Sequence, residues 1–180
     1  MSNPRDIHNL ALIGFMGTGK TSVGQLAAAA LRFEFVDTDQ LIESRAGKRI
    51  SQIFADHGEP VFRDLERRVV AELTQREKLV ISAGGGLPAN ADNLDSLKSH
   101  AFVACLWASA EKIWERVRHQ SHRPLIARDA DPESRIRALL AAREPFYRQA
   151  DVLVNTELRS IREVAQQVVN QFREALRDHR

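Results

Sequence analysis

Residues Gly14-Phe15-Met16-Gly17-Thr18-Gly19-Lys20-Thr21 fit the pattern G-x-x-x-x-G-K-S/T, whose residue types are suited to holding a polyphosphate. The glycines permit positive φ and let backbone N–H groups approach phosphate oxygens closely. Lys20 can reach the β- and γ-phosphates, and the Thr21 hydroxyl can ligate Mg²⁺. Gly17, Thr18, Gly19, Lys20, Thr21 and Ser22 are therefore the candidate nucleotide contacts, with Lys20 also a candidate catalytic cation. A glycine-rich turn with an incidental lysine is the plainer alternative. The position of the pattern, between an apolar run and a helix-forming stretch, argues against it.

A phosphate loop identifies a donor and leaves the acceptor open. Asp37 and Asp39 lie two residues apart at the end of a predicted strand. Such spacing puts both carboxylates on one face, beside the phosphate loop if that strand neighbours the first. One carboxylate could hold Mg²⁺ directly or through water while the other accepts a proton from a substrate hydroxyl. The same residues also suit an Asx turn and a helix N-cap, since a helix follows Asp39. Further along, Arg63 and Glu66 are spaced to pair on a helix, although Arg67 and Arg68 beside them also fit a solvated charged face. Gly84-Gly85-Gly86 after a third strand is either a simple loop or a place where backbone approaches a ligand. His119 and His122 are three apart without acidic or cysteine partners, which argues against a metal site.

The elements that must position these groups can be read from apolar patterning. Asn9–Gly14 is a short continuous apolar run, as in buried parallel strands. Thr21–Leu31 is alanine-rich with helical spacing. Phe33–Val36, Leu79–Ser82, Ala101–Trp107 and Asp151–Val154 are the other strand candidates. Residues 40–77 read as helical with breaks near Gly47 and Gly58-Glu59-Pro60, and helices are predicted over 110–118, 132–143 and 160–177. Residues 1–8 read as a frayed end, and 119–131 as a mobile loop. Strands alternating with helices predict an α/β domain on a parallel sheet.

The chain has 180 residues, 43% apolar and 28% charged, which suits one globular domain over residues 1–180 with its core over about 9–170. Lys and Arg number 26 against 24 Asp and Glu, and a net charge of +2 is too small to argue for a polyphosphate or membrane partner, so neither nucleic acid nor membrane is expected. The single Cys105 excludes an internal disulfide and fits a reducing cytoplasm. A cytoplasmic monomer acting on a small molecule is the expectation.

Taken in order, the phosphate loop, Asp37-Thr38-Asp39, Phe62-Arg63-x-x-Glu66, Gly84-Gly85-Gly86, Arg123-Pro124-Leu125 and Arg143-x-x-x-Tyr147 resemble the shikimate kinase family. The resemblance runs from about Leu10 to about Val169. It implies a three-layer α/β/α, P-loop, nucleoside-monophosphate-kinase-like fold on a five-stranded parallel sheet, with a lid over 119–131. It also implies ATP and Mg²⁺ as nucleotide and metal, and shikimate as acceptor. By that likeness Asp39 grips the ring hydroxyls and is the candidate base, Arg63 and Arg143 hold the carboxylate, and Gly84, Gly85 and Gly86 border the substrate. Asp37 would stand in the outer shell of the Mg²⁺ that Thr21 ligates. Arg123 would be the catalytic lid arginine, with Arg116 and Arg159 on the adenine side.

Overall fold

The computed structural model describes residues 5–118 and 131–178. The expected lid, apart from Asp131, and Arg123 with it, lie outside the described residues.

Five strands form one parallel sheet: β1 Asn9–Ile13, β2 Glu34–Asp37, β3 Leu79–Ser82, β4 Ala101–Trp107 and β5 Val152–Asn155. Their order is β2-β3-β1-β4-β5. The apolar runs of β1 and β3 are buried throughout because helices cover both faces. Alternation then sorts the side chains. Ala11, Ile13, Ile81, Val103 and Cys105 enter a core with Ile42, Phe62, Leu94, Ile113 and Ile136. Leu10, Leu12, Val80, Ala104 and Leu106 enter a second core with Val23, Ala27, Val168 and Phe172.

The helices are α1 Lys20–Leu31, α2 Thr38–Ala46, α3 Ile50–Leu73, α4 Ala91–His100, α5 Ala110–Val117, α6 Pro132–Tyr147 and α7 Ile161–Asp178. The break expected at Gly58-Glu59-Pro60 is a kink within α3. Gly58 sits there at φ 78° and ψ 176°, a conformation open essentially to glycine alone. Helix α6 runs one turn past the predicted end at Arg143, through Pro145 to Tyr147.

Three features differ from or go beyond what the sequence implies. Strand β2 does not lie beside β1, because β3 is inserted between them. Helix α4 was not anticipated. Its periodic signal is only Leu94 and Leu97, while its other buried positions include the polar Asn93 and His100. Residues 5–8 are not frayed, since the Arg5 fork grips Asp151 at 2.5 and 3.0 Å and also donates to the carbonyls of Lys98 and Ala101 at 2.6 Å each.

His100 makes stability depend on pH. Asn9 is locked as its Oδ1 accepts from Leu79 N–H at 2.8 Å and its Nδ2 donates to the Arg76 carbonyl at 2.7 Å. Its Nδ2 also faces His100 Nδ1 at 2.9 Å, which must therefore be an acceptor and unprotonated. Burial, with a smaller effect from the stacked His8, lowers the His100 pKa to about 4. The unfolded chain binds this proton first, so stability is intact above pH 6.5 and declines as pH falls toward 4, by roughly 3 kcal/mol in all. Urea midpoints should drop over that window, and His100→Phe should flatten the slope.

Candidate active site

The phosphate loop joins β1 to α1. Gly14 opens it at φ 137°, and a side chain there would put Cβ 2.3 Å from the Leu106 carbonyl oxygen. The loop is braced internally: Lys20 Nζ donates to the carbonyls of Gly14 and Phe15 at 2.9 and 3.0 Å, and Thr18 Oγ1 to Phe15 at 2.8 Å. Gly19 caps α1 without a side-chain acceptor, so the first-turn N–H groups and the positive end of the helix dipole are presented at the loop. Ser22, the third residue of α1, is exposed.

Arg116 of α5 reaches the loop from behind. Its guanidinium donates to the Gly17 carbonyl at 3.2 Å, to Thr156 Oγ1 at 3.0 Å and to the Thr156 carbonyl at 2.6 Å. It thus ties the phosphate loop to the segment following β5. Arg159 is placed differently, with its guanidinium on Gln167 of α7 and, among the described residues, no hydrogen bond to the loop.

On the acceptor side, side chains span the inserted β3. Thr21 Oγ1 donates to Asp37 Oδ2 at 3.2 Å. The other oxygen of Asp37 caps α2, accepting from the backbone N–H of Asp39 at 3.1 Å and Gln40 at 3.3 Å. The helix begins earlier than the sequence implies, so the cap falls on Asp37 and not on Asp39, and one carboxylate serves both the cap and the phosphate loop. Asp37 is the cap, and Asp39 lies inside the first turn. Between them the fully buried Thr38 accepts from Gly84 N–H through Oγ1 at 2.9 Å, joining the carboxyl ends of β2 and β3. Sequence reasoning missed this residue, whose only signal is a small β-branched hydroxyl between two aspartates.

Asp39 is half-buried and its carboxyl is pushed up to about 6. Burial is the main cause; Asp37 and Glu66 add to it, and Lys20 opposes it. The carboxylate is pressed against the glycine run, where a methyl on Gly84 would lie 2.2 Å from Asp39 Oδ1.

The next two glycines face the two arginines. A methyl on Gly86 would lie 2.9 Å from Arg63 Nη1, and one on Gly85 would lie 3.7 Å from both Arg143 Nη1 and the backbone nitrogen of Met16. Three consecutive glycines thus bring Asp39, Arg143 and Arg63 together, with the phosphate loop at Gly85. Arg63 is oriented by its own helix, donating to Glu66 Oε2 at 2.7 Å and to Glu59 Oε1 at 3.0 and 2.7 Å. Burial raises the Glu66 carboxyl pKa, with Arg63 and then Arg143 pulling the other way. Arg143, from α6, donates to the Gly85 carbonyl at 3.0 Å and lies over the Phe15 ring at 5.1 Å.

A phosphate loop, a partly buried carboxylate and two guanidinium forks around one backbone run suit transfer of a phosphoryl group to a hydroxylated acid. The β2-β3-β1-β4-β5 parallel sheet and this loop define a P-loop kinase of the nucleoside-monophosphate-kinase-like fold. Residues 16–173 match the family model for shikimate kinase. The shikimate kinase of Thermodesulfovibrio yellowstonii is 43% identical over 164 residues, 91% of this chain and 94% of that one. That of Caldanaerobacter subterraneus subsp. tengcongensis is also 43% identical, over 91% of this chain and 95% of its own. A shikimate kinase from Acinetobacter baumannii, solved in complex with shikimate, superposes with a TM-score of 0.87 at 37% identity, covering 93% of this chain and 94% of that one. A gluconokinase from Sinorhizobium meliloti, at 18% identity and a TM-score of 0.63, shares the fold. The chain belongs to the shikimate kinase family.

Proposed function

We propose that the protein transfers the γ-phosphoryl group of ATP to the 3-hydroxyl of shikimate, giving shikimate 3-phosphate and ADP. The observation that carries this reading is the placement of Arg63 and Arg143 on adjacent glycines, beside Asp39 and the phosphate loop. Shikimate is a small ring acid with three hydroxyls, so it needs cations at one end and an acceptor at the other. Two planar forks fix the carboxylate, and Glu66 and Glu59 fix the Arg63 rotamer. Asp39 accepts a hydrogen bond from the hydroxyl and takes its proton as the O–P bond forms. Positioning and charge stabilisation supply most of the rate in this chemistry. Gly17, Thr18, Gly19, Lys20, Thr21 and Ser22 cradle the triphosphate, Arg116 and Arg159 serve the adenine side, and Arg123, outside the described residues, is the further catalytic arginine.

Thr21 and Asp37 suit Mg²⁺. Their oxygens face each other at 3.2 Å beside the loop, the sparse all-oxygen set this ion takes when phosphates and water complete its shell. Thr21 would ligate it directly and Asp37 from the outer shell, and the ion would neutralise charge between the β- and γ-phosphates. Among the described residues no helix is long and apolar enough to cross a membrane. The same proposal includes a cytoplasmic monomer without nucleic-acid or membrane partners, checked by light scattering.

A coupled ADP-release assay tests the reading against shikimate, gluconate and nucleoside monophosphates. Saturable turnover with shikimate alone is expected; turnover with gluconate and none with shikimate would overturn it. Gly84→Ala supplies a further check. The new methyl would collide with Asp39 Oδ1, forcing the carboxylate aside, and a displacement of about 1 Å can cost ~10²-fold in turnover. ATP binding, read by fluorescent-nucleotide titration, should be preserved.

A further inference from the structure

The last turn of α6 presents a side chain that the reaction above leaves unused. Tyr147 is buried, and its hydroxyl donates to the Gly85 carbonyl oxygen at 3.3 Å. The same oxygen accepts from Arg143 Nη1 at 3.0 Å. Arg143 and Tyr147 are four residues apart on one helix face, so both reach Gly85 from the same side. Burial pushes the Tyr147 hydroxyl up to about 12, which keeps it a donor throughout the neutral range.

We propose that Tyr147 is a positioning residue: it holds the Gly85 carbonyl so that Arg143 can turn its fork to the acceptor carboxylate. This rests on the reading that Arg143 binds that carboxylate. A carbonyl oxygen has two lone pairs, here shared between the two donors. Arg143 Nη1 serves Gly85 here, so turning that edge of the fork to a carboxylate gives this bond up. Without a second donor, that move would leave the Gly85 oxygen unpaired, and binding would carry the cost. Tyr147 removes the cost.

The test is Tyr147→Phe in the full chain, with steady-state kinetics in shikimate and ATP separately. Loss of one neutral hydrogen bond predicts a ~3- to 10-fold rise in KM for shikimate, with kcat and KM for ATP within about twofold of wild type. The effect passes through Arg143, so in an Arg143→Ala background Tyr147→Phe should add less than about twofold. An unchanged shikimate KM overturns the inference while leaving the kinase reading intact. So does full additivity in the double variant, or a loss spread evenly over both KM values and kcat. Wild-type protein that turns over no shikimate overturns the functional reading itself, and this inference with it.

Discussion

Asp39→Asn lowers turnover with shikimate by ~10²–10⁴-fold and leaves the KM for ATP within about twofold. The amide keeps the shape and the first turn of α2 but cannot take the hydroxyl proton. The carboxyl titrates at about 6, so kcat/KM for shikimate in the wild type should fall as pH drops through 6. The same shift has a stability consequence of opposite sign. The folded state holds this proton more tightly than an ordinary aspartate at 3.8, so its stabilising effect is complete below that value. It is lost as pH rises through 6, by roughly 3 kcal/mol in all. The substituted amide has no charge to bury, so the variant should be more stable than wild type at pH 8 and similar at pH 4 in urea denaturation. A variant that turns over like the wild type would remove Asp39 from the chemistry.

Arg143→Ala should raise the KM for shikimate ~10²-fold while ATP binding is unaffected, the scale expected when one member of a desolvated charge pair is truncated. Arg63→Ala should do the same and destabilise the fold as well, because Glu66 is buried and loses its main partner. Arg63 is itself 32% exposed at its side chain, so solvent screening brings the loss to or below the lower end of the usual range, about 2–3 kcal/mol. Adding Glu66→Gln to Arg63→Ala removes the unpaired charge. That double variant should regain stability without regaining shikimate affinity. If affinity returned with stability, Arg63 would be a structural residue and its place in the acceptor clamp would be lost.

The parts of this site that are local in sequence were legible there. The phosphate loop depends on glycine placement within eight residues, and Arg63 with Glu66 on the spacing of one helical turn. What depended on chain routing was not. No periodicity reveals that β3 enters between β1 and β2, so the contact of Thr21 with Asp37 was expected from the family resemblance alone and not from spacing. The pairing of each glycine with its own partner (Gly84 with Asp39, Gly85 with Arg143, Gly86 with Arg63) is a packing outcome between β3, α2, α3 and α6. Thr38 and Tyr147 were quoted within motifs, but their roles depend on Gly84 N–H and Gly85 C=O, backbone groups far away in sequence. Helix α4 escaped because polar Asn93 and His100 fill half of its buried stripe.

A crystal structure of the protein with shikimate and ADP tests the central claim most directly. The shikimate carboxylate should lie between the guanidinium groups of Arg63 and Arg143, with a ring hydroxyl on Asp39 directed at the phosphate loop. A carboxylate bound elsewhere, or either guanidinium turned out to solvent in that complex, would contradict the account.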